Sequence, residues 1–252
     1  MLSRCGLQYE YRYVMNVVEP PGVAMLRGRA VHKAAEHTLR QKMRSGRTLT
    51  HDEIADAARD AIRAEWAQGF RLDEEEAEAG VEATKARAEE STIAMALHYN
   101  LTVAPISNPV HVERRFLLEL PFSHDLEGVI DLQEQNAIRD LKTGAGVIPN
   151  VNQAIQLTAY ALAFRVLEGR TPAAVGFDVI FDSKAGGVSH TRLSSTRNRE
   201  HFDALVVRIA RACNLIKAGA FYPCDPSAYP CSPKWCGYWK QCPQGLPNRS
   251  LI

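Results

Sequence analysis

Glu127-Gly128-Val129-Ile130-Asp131-Leu132-Gln133-Glu134-Gln135-Asn136-Ala137-Ile138-Arg139-Asp140-Leu141-Lys142-Thr143-Gly144 is the stretch on which the fold turns. Apolar and polar residues alternate on either side of Gln135-Asn136, the period of half-buried strands. With Gln135-Asn136 as a two-residue hairpin loop, Asp131 is expected to face Asp140 across the ladder. Directly opposed side chains have Cβ atoms about 4.5–5.5 Å apart, where two like charges are destabilising unless a cation lies between them. Asp140 and Lys142 are two apart on one strand and project from the same face. Two carboxylates and an ammonium around one point suit metal-assisted hydrolysis: the acids hold a hard divalent cation and the lysine attends the attacking water. The alternative is a surface hairpin with an exposed Asp140–Lys142 ion pair worth under about 1 kcal/mol.

Outward from the hairpin, residues 110–120 read as a preceding strand, 126–134 and 137–142 as the hairpin strands, and Thr143-Gly144-Ala145-Gly146 as the break after them. Residues 152–167 form an amphipathic helix, 174–182 and 188–193 two further strands, and 198–217 a last helix. Upstream, helices are expected over 27–44, 51–68 and 73–100, the last with a broad solvated acidic face. The order predicts an α/β protein: a mixed sheet core flanked by helices, with a helical insertion before the first strand.

The 252 residues are 46% hydrophobic, enough for one ample core or two small ones, which excludes a disordered or disulfide-stapled peptide. Lys and Arg number 30 against 29 Asp and Glu, a net charge of +1. The sum conceals a pattern: residues 1–50 carry +6, 51–100 carry −8, 101–188 carry −3 and 189–252 carry +6. The acidic block is expected to be a solvated helix face, with repulsion of nucleic acid from the wrong surface as the functional alternative. Without a long apolar run or a signal-like N-terminus, a cytoplasmic protein with no membrane contact is expected.

Of six cysteines, Cys224, Cys231, Cys236 and Cys242 crowd the end, Cys5 stands near the start and Cys213 sits in a helical pattern. Clustering of this kind points to metal or iron–sulfur ligation. Cys231, Cys236 and Cys242 can share one centre and need a fourth ligand. Cys213 reads as a buried apolar residue and Cys224 as a spare thiol.

Four motifs occur in order, two of them in the hairpin: Gly28-Arg29-Ala30-Val31-His32, Gly128-Val129-Ile130-Asp131, Asp140-Leu141-Lys142-Thr143-Gly144, and Gln156 with Tyr160 one helical turn on. With the cysteine frame they span nearly the whole chain, which resembles the PD-(D/E)XK nuclease superfamily and, within it, the RecB-like branch. The resemblance implies a restriction-endonuclease-like fold: a nuclease core of about 20–45 and 105–218, an insertion of about 46–104, and an iron–sulfur region of 1–15 with 219–245, all one nuclease domain. His32, Asp131, Asp140 and the Leu141 carbonyl would ligate Mg²⁺ or Mn²⁺. Lys142 would orient water and counter phosphate charge, Gln156 and Tyr160 would shape the site or touch the DNA backbone, and Glu113 would stand behind the ligands. Each has a plainer alternative: His32 an ordinary helix histidine, Gln156 and Tyr160 packing residues, Glu113 a partner of Arg114 or Arg115. The position usually Pro-Asp is Ile130-Asp131 here, and the variable acid is Asp140.

Some RecB-like nucleases close a 4Fe–4S cluster with one N-terminal and three C-terminal cysteines, which implies Cys5, Cys231, Cys236 and Cys242 as ligands here. The spacing C-x4-C-x5-C departs from the commoner C-x2-C-x5-C. A zinc tetrathiolate and an exchange of Cys5 for Cys224 are the alternatives. A closure from residue 5 to residue 231 would stabilise the fold by roughly 5 kcal/mol, by analogy with a long cross-link. It would also merge the two basic ends and their aromatics (Tyr9, Tyr11, Tyr13, Tyr229, Trp235, Tyr238, Trp239) into one region that stacks bases of a single strand or, alternatively, wraps the cluster. The expected activity is exonucleolytic hydrolysis of single-stranded or end-containing DNA in recombination, repair or CRISPR adaptation; a non-cleaving DNA-binding or scaffold subunit of such a complex is the alternative. No G-x-x-x-x-G-K-S/T loop occurs, so any ATP-driven unwinding would come from a partner such as a helicase, with a recombinase or CRISPR-adaptation protein as other partners.

Overall fold

A computed structural model of the chain describes residues 2, 4–144, 149–183 and 187–244. Five strands form one sheet in sequence order: β1 (Pro109–Leu118), β2 (Leu126–Glu134), β3 (Ala137–Gly144), β4 (Ala174–Ser183) and β5 (Gly187–Ser195). Neighbours are antiparallel except β3 and β4, which run parallel and are joined by the helix α6 (Ile155–Glu168). A parallel pair needs such a crossover, whereas the antiparallel pairs need only short turns. The last helix, α7 (Arg199–Lys217), opens on an Asn198 capping box and packs with α6 on one face of the sheet. There Phe116, Ile130, Ile138, Phe164, Phe177 and Phe202 form one core layer.

The other face is covered by α2 (Val23–Ser45) and α5 (Val81–Thr102), where Val31, Leu39, Met95, Tyr99, Leu132 and Ile180 meet. Between these helices lies α3 (His51–Trp66), started by the Thr50–Glu53 capping box, which buries Ile54, Ala58 and Ile62 against α2 and α5. Gly46, at φ 73, ends α2 as its sequence position suggests.

Three expectations change. The predicted 73–100 helix is two: α4 (Glu74–Ala79) and α5, separated by Gly80 at φ 86 and ψ 154, a conformation open to glycine and outside any helix. Thr143 and Gly144 do not break β3 but extend it beside Ile180 and Phe181 of β4; Ala145-Gly146 lies outside the described residues, as do residues 1, 3 and 245 of the expected iron–sulfur region. The N-terminal segment, which the periodicity left unassigned, forms α1 (Gly6–Tyr9) and a π-turn over Glu10–Val14.

Candidate active site

The site begins where the sheet forks. β2 pairs with β1 along most of its length, but with β3 only at Leu132–Arg139 and Gln133–Ile138, in the register predicted from a Gln135-Asn136 turn. Beyond those rungs β3 follows β4, from Ala137–Ala174 to Gly144–Phe181. No rung forms between Asp131 and Asp140, so the expected face-to-face pair is replaced by two carboxylates on either lip of a gap. Asp131 fills the missing rung itself: its Oδ2 accepts the Leu141 backbone N–H at 2.9 Å. The N–H and C=O of one strand residue point to the same edge, so the Leu141 carbonyl opens onto the same gap.

On the α2 side, His32 Nδ1 lies 3.3 Å from Asp131 Oδ2. Gly28, one turn earlier, lets α2 approach β3: a Cβ there would stand 3.0 Å from Thr143 Oγ1. Glu113 belongs to this group more directly than its expected place behind the ligands. One ligand atom each from His32, Glu113 and Asp131 lies within 4.8 Å of the other two, the one such trio of His, Cys, Asp or Glu among the described residues. The neighbouring rungs of β1 and β2 place Glu113 beside Asp131, and Glu113 adopts φ 53, left-handed backbone that a non-glycine residue rarely holds. Around that point the two-residue alternation breaks: Val112 joins the α2 layer while Phe116 and Leu118, also even-numbered, join the α6 layer. Arg114, offered above as a partner for Glu113, instead meets Glu168 and Gln133.

Charge crowding is visible in the titration of these groups. Burial, then the charges of Asp131 and Glu36, push Glu113 up to about 7. Burial opposes the His32 cation, but the hydrogen bond and charge of Asp131 outweigh it and hold the ring above the ordinary histidine range. Burial and Asp131 raise Asp140 to about 6, against the pull of Lys142. Groups that resist their metal-binding forms when alone are what a divalent cation would relieve.

Asp140 anchors the second half, on the α6 side. Lys142 Nζ is 2.6 Å from Asp140 Oδ2, an ionic contact in which that buried oxygen accepts no aligned hydrogen bond. Gln156 ties the cluster together: its Nε2 donates to Asp140 Oδ1 and Tyr160 Oη, each at 2.8 Å, and its Oε1 accepts from Lys142 Nζ at 2.8 Å. Gln156 and Tyr160 are therefore joined to the acids and are not packing residues alone. A buried carboxylate oxygen without an aligned donor, next to a His, Glu and Asp trio, is a donor set of hard oxygens and one imidazole that fits a divalent cation such as Mg²⁺ or Mn²⁺.

Glu36 was not anticipated. It lies one turn after His32 on α2 and its charge raises Glu113. Although burial opposes it, Lys33 and Arg40 hold its own carboxyl below the usual range. The His32-x-x-x-Glu36 spacing was the signal available in the sequence.

The cysteine frame is assembled from both ends of the chain. Gly6 N–H donates to Tyr222 O at 2.7 Å, and a Cβ on Gly6 would lie 2.5 Å from the Tyr222 backbone, so only glycine permits this crossing. Tyr11 stacks on Tyr238 at 5.2 Å, and Tyr238 Oη donates to Val17 O at 3.0 Å. One small cavity is lined by Cys5, Cys224, Cys231, Cys236 and Cys242. Gln8 Nε2 points at Cys236 Sγ from 3.2 Å. Cys224, expected as a spare thiol, lines the cavity with Cys5 and Cys231; burial, then the Cys5 charge, push it up to about 12. Cys213 is buried in α7, as expected. The aromatics divide: Tyr11, Tyr238 and Trp239 line the thiol cavity, whereas Tyr229 and Trp235 turn to the cleft that also holds His32, Glu113 and Lys142.

Among the described residues no helix is long and apolar enough to cross a membrane. The family model of the PD-(D/E)XK nuclease superfamily matches residues 1–243. Among solved structures, a crystal structure of a "Putative exonuclease" from Eubacterium rectale superposes with a TM-score of 0.51 at 14% identity, covering 90% of this chain and 80% of that one, a likeness of fold. No curated protein sequence matches the chain.

Proposed function

Because the chain belongs to the PD-(D/E)XK nuclease superfamily, shown by the match over residues 1–243, we propose that it is a metal-dependent deoxyribonuclease and that it acts as an exonuclease on single strands or strand ends. The observation that carries this reading is the fork itself: His32, Glu113 and Asp131 on one lip, and Asp140 with Lys142 and Gln156 on the other. His32, Asp131, Asp140 and the Leu141 carbonyl hold the metal, with Glu113 as a further ligand. Bound there, Mg²⁺ or Mn²⁺ supplies positive charge for the scissile phosphate and acidifies a water. Lys142 positions that water and offsets phosphate charge, and Gln156 keeps the ammonium aimed by accepting from it. Tyr160, raised above the ordinary phenol range mainly by burial, stays a neutral hydroxyl that fixes Gln156 by accepting from its Nε2.

The cysteine frame is proposed as a 4Fe–4S site held by Cys5, Cys231, Cys236 and Cys242, with Cys224 beside it. One feature supports this over zinc: among the described residues no three thiols lie within 4.8 Å of one another, whereas ligands at 2.3 Å around one tetrahedral zinc stand only about 3.8 Å apart. The whole of 1–252 acts as one nuclease unit, with the frame tying the ends together. The pathway proposed is DNA recombination, repair or CRISPR adaptation, beside a helicase, a recombinase or an adaptation protein, in the cytoplasm.

The test is cleavage of 5′- and 3′-labelled single and double strands with Mn²⁺, Mg²⁺ or EDTA, comparing the parent with Asp140→Ala. Cleavage from an end, dependent on metal and lost in the variant, is expected. Salt-dependent DNA binding without cleavage in either metal would leave a binding or scaffold subunit in its place. Iron and sulfide analysis of anaerobically purified protein tests the frame; a colourless, zinc-loaded preparation would overturn the cluster.

A further inference from the structure

The hydrolytic fork and the coil that carries the thiols line one open cleft of about 1550 Å³, larger than the usual pocket for a small ligand. His32 and Lys142 lie on its floor; Tyr229, Lys234 and Trp235, from the coil that carries the thiols, form part of its wall. Both rings are exposed, Tyr229 by 71% and Trp235 by 48%. They meet edge to face, with centroids 6.1 Å apart at 85°. Each is fixed by backbone next to a cysteine. Cys231 N–H donates to Ala228 O and Ser232 Oγ to Tyr229 O on one side, and both Trp235 and Cys236 N–H groups donate to Ser232 O on the other.

The cleft carries charges of both signs, and beside the rings Lys234 pairs with Asp73 at 3.3 Å. Arg71 donates to the Lys234 carbonyl, a bond that leaves its guanidinium charge next to Trp235. Exposed flat rings beside cations match a chain of phosphates carrying flat, unpaired bases, and a duplex cannot offer those faces because its bases are stacked within it.

We propose that Tyr229 and Trp235 form a stacking platform for an unpaired base of the substrate strand, so that the thiol-bearing coil is the wall that selects single-stranded DNA. This rests on the nuclease reading of the fork. The role is one of positioning: the rings hold the strand while the fork attends to the phosphate. It also assigns the frame a second task besides stability, since whatever fixes Cys231 and Cys236 fixes the platform.

The experiment measures binding of a fluorescein-labelled oligothymidylate by anisotropy, with Ca²⁺ in place of Mn²⁺, for the full-length iron-loaded protein. Trp235→Ala and Tyr229→Ala are expected to bind roughly 5- to 150-fold more weakly, the range for loss of one base–aromatic stack. Trp235→Phe is expected to stay within about threefold of the parent, because it keeps a ring. A relaxed, covalently closed circular duplex, with neither loops nor ends, is expected to bind all four proteins alike. Should a variant lose its iron, the parent answers alone: an abasic site moved along a strand of mixed sequence is expected to weaken binding at one or two positions. Equal binding of the oligothymidylate by parent and alanine variants, or an abasic scan with no preferred position, overturns the platform. The same strands with Mn²⁺ separate the two readings: a parent that shows the platform but cleaves nothing refutes the nuclease alone, and one that cleaves while Trp235→Ala binds normally refutes the platform alone.

Discussion

The fork and the cysteine frame are built on opposite principles. At the fork, the sheet's own hydrogen bonds place the chemistry: β3 leaves β2 for β4, and the Asp131 carboxylate takes the Leu141 N–H that the departing ladder strands. Its residues already touch one another, as the Asp140–Lys142–Gln156–Tyr160 chain shows. The frame has no ladder. It brings residue 5 to residues 224–242 through a glycine crossing, two stacked tyrosines and a ring of thiols, in a coil of turns. A site built into a sheet is organised before its ligand arrives, whereas a site built from coil depends on its ligand for organisation. Loss of a ligand residue should therefore cost activity at the fork and stability at the frame.

The largest effect expected is at the frame. Cys242→Ala should lower the unfolding free energy by about 5 kcal/mol, the value for releasing a closure of this length, with parallel loss of visible absorbance; denaturant titration of anaerobic samples measures both. Next comes the fork. Asp131→Ala and Lys142→Ala should each slow cleavage by about 100-fold or more while shifting the thermal midpoint little, and a midpoint that falls as far as that of Cys242→Ala would erase the contrast. Gly6→Ala should destabilise by about 1–3 kcal/mol, because its Cβ meets the Tyr222 backbone at 2.5 Å, and cleavage per folded molecule should persist.

The smallest effect separates the two regions by pH. Glu113, up to about 7, and Asp140, up to about 6, keep protons in the fold that they release on unfolding. Their contribution is full below the ordinary carboxylate range and lost as pH rises through about 6 and about 7. His32, also raised, acts in the same direction. The EDTA-treated protein should thus lose a few degrees of thermal midpoint between about pH 5 and pH 8. Mn²⁺, which displaces those protons, should restore more at the higher pH. Calorimetry at both values checks this, and a metal effect independent of pH would place the ion elsewhere.

The strand and helix plan was legible because periodicity and turn chemistry agree across the hairpin, and the register followed from Gln135-Asn136. What the sequence concealed was the fork. Pairing rules continue a ladder, and only the competition between β2 and β4 for β3, a tertiary effect, ends it after Leu132–Arg139. The closeness of Glu113 to His32 and Asp131 was hidden for a related reason. A charged residue in an alternating strand reads as solvent-facing, and its φ of 53, which turns it toward His32, leaves no trace in residue type. Gly80 was undervalued as a helix breaker because an Ala/Glu-rich window outweighed it. In the frame, the cysteine spacing was plain, but the approach of Cys224 to Cys5 and Cys231 depends on how the coil turns.

The central claim, that the fork holds the metal and performs the hydrolysis, is tested most directly by a Mn²⁺ titration of cleavage on one end-labelled single strand, parent beside Asp131→Ala. The account predicts that the parent is inert in EDTA and rises to saturation with Mn²⁺, while the variant stays about 100-fold slower at every concentration. A parent that cleaves undiminished in EDTA, or a variant that matches it, would contradict the account.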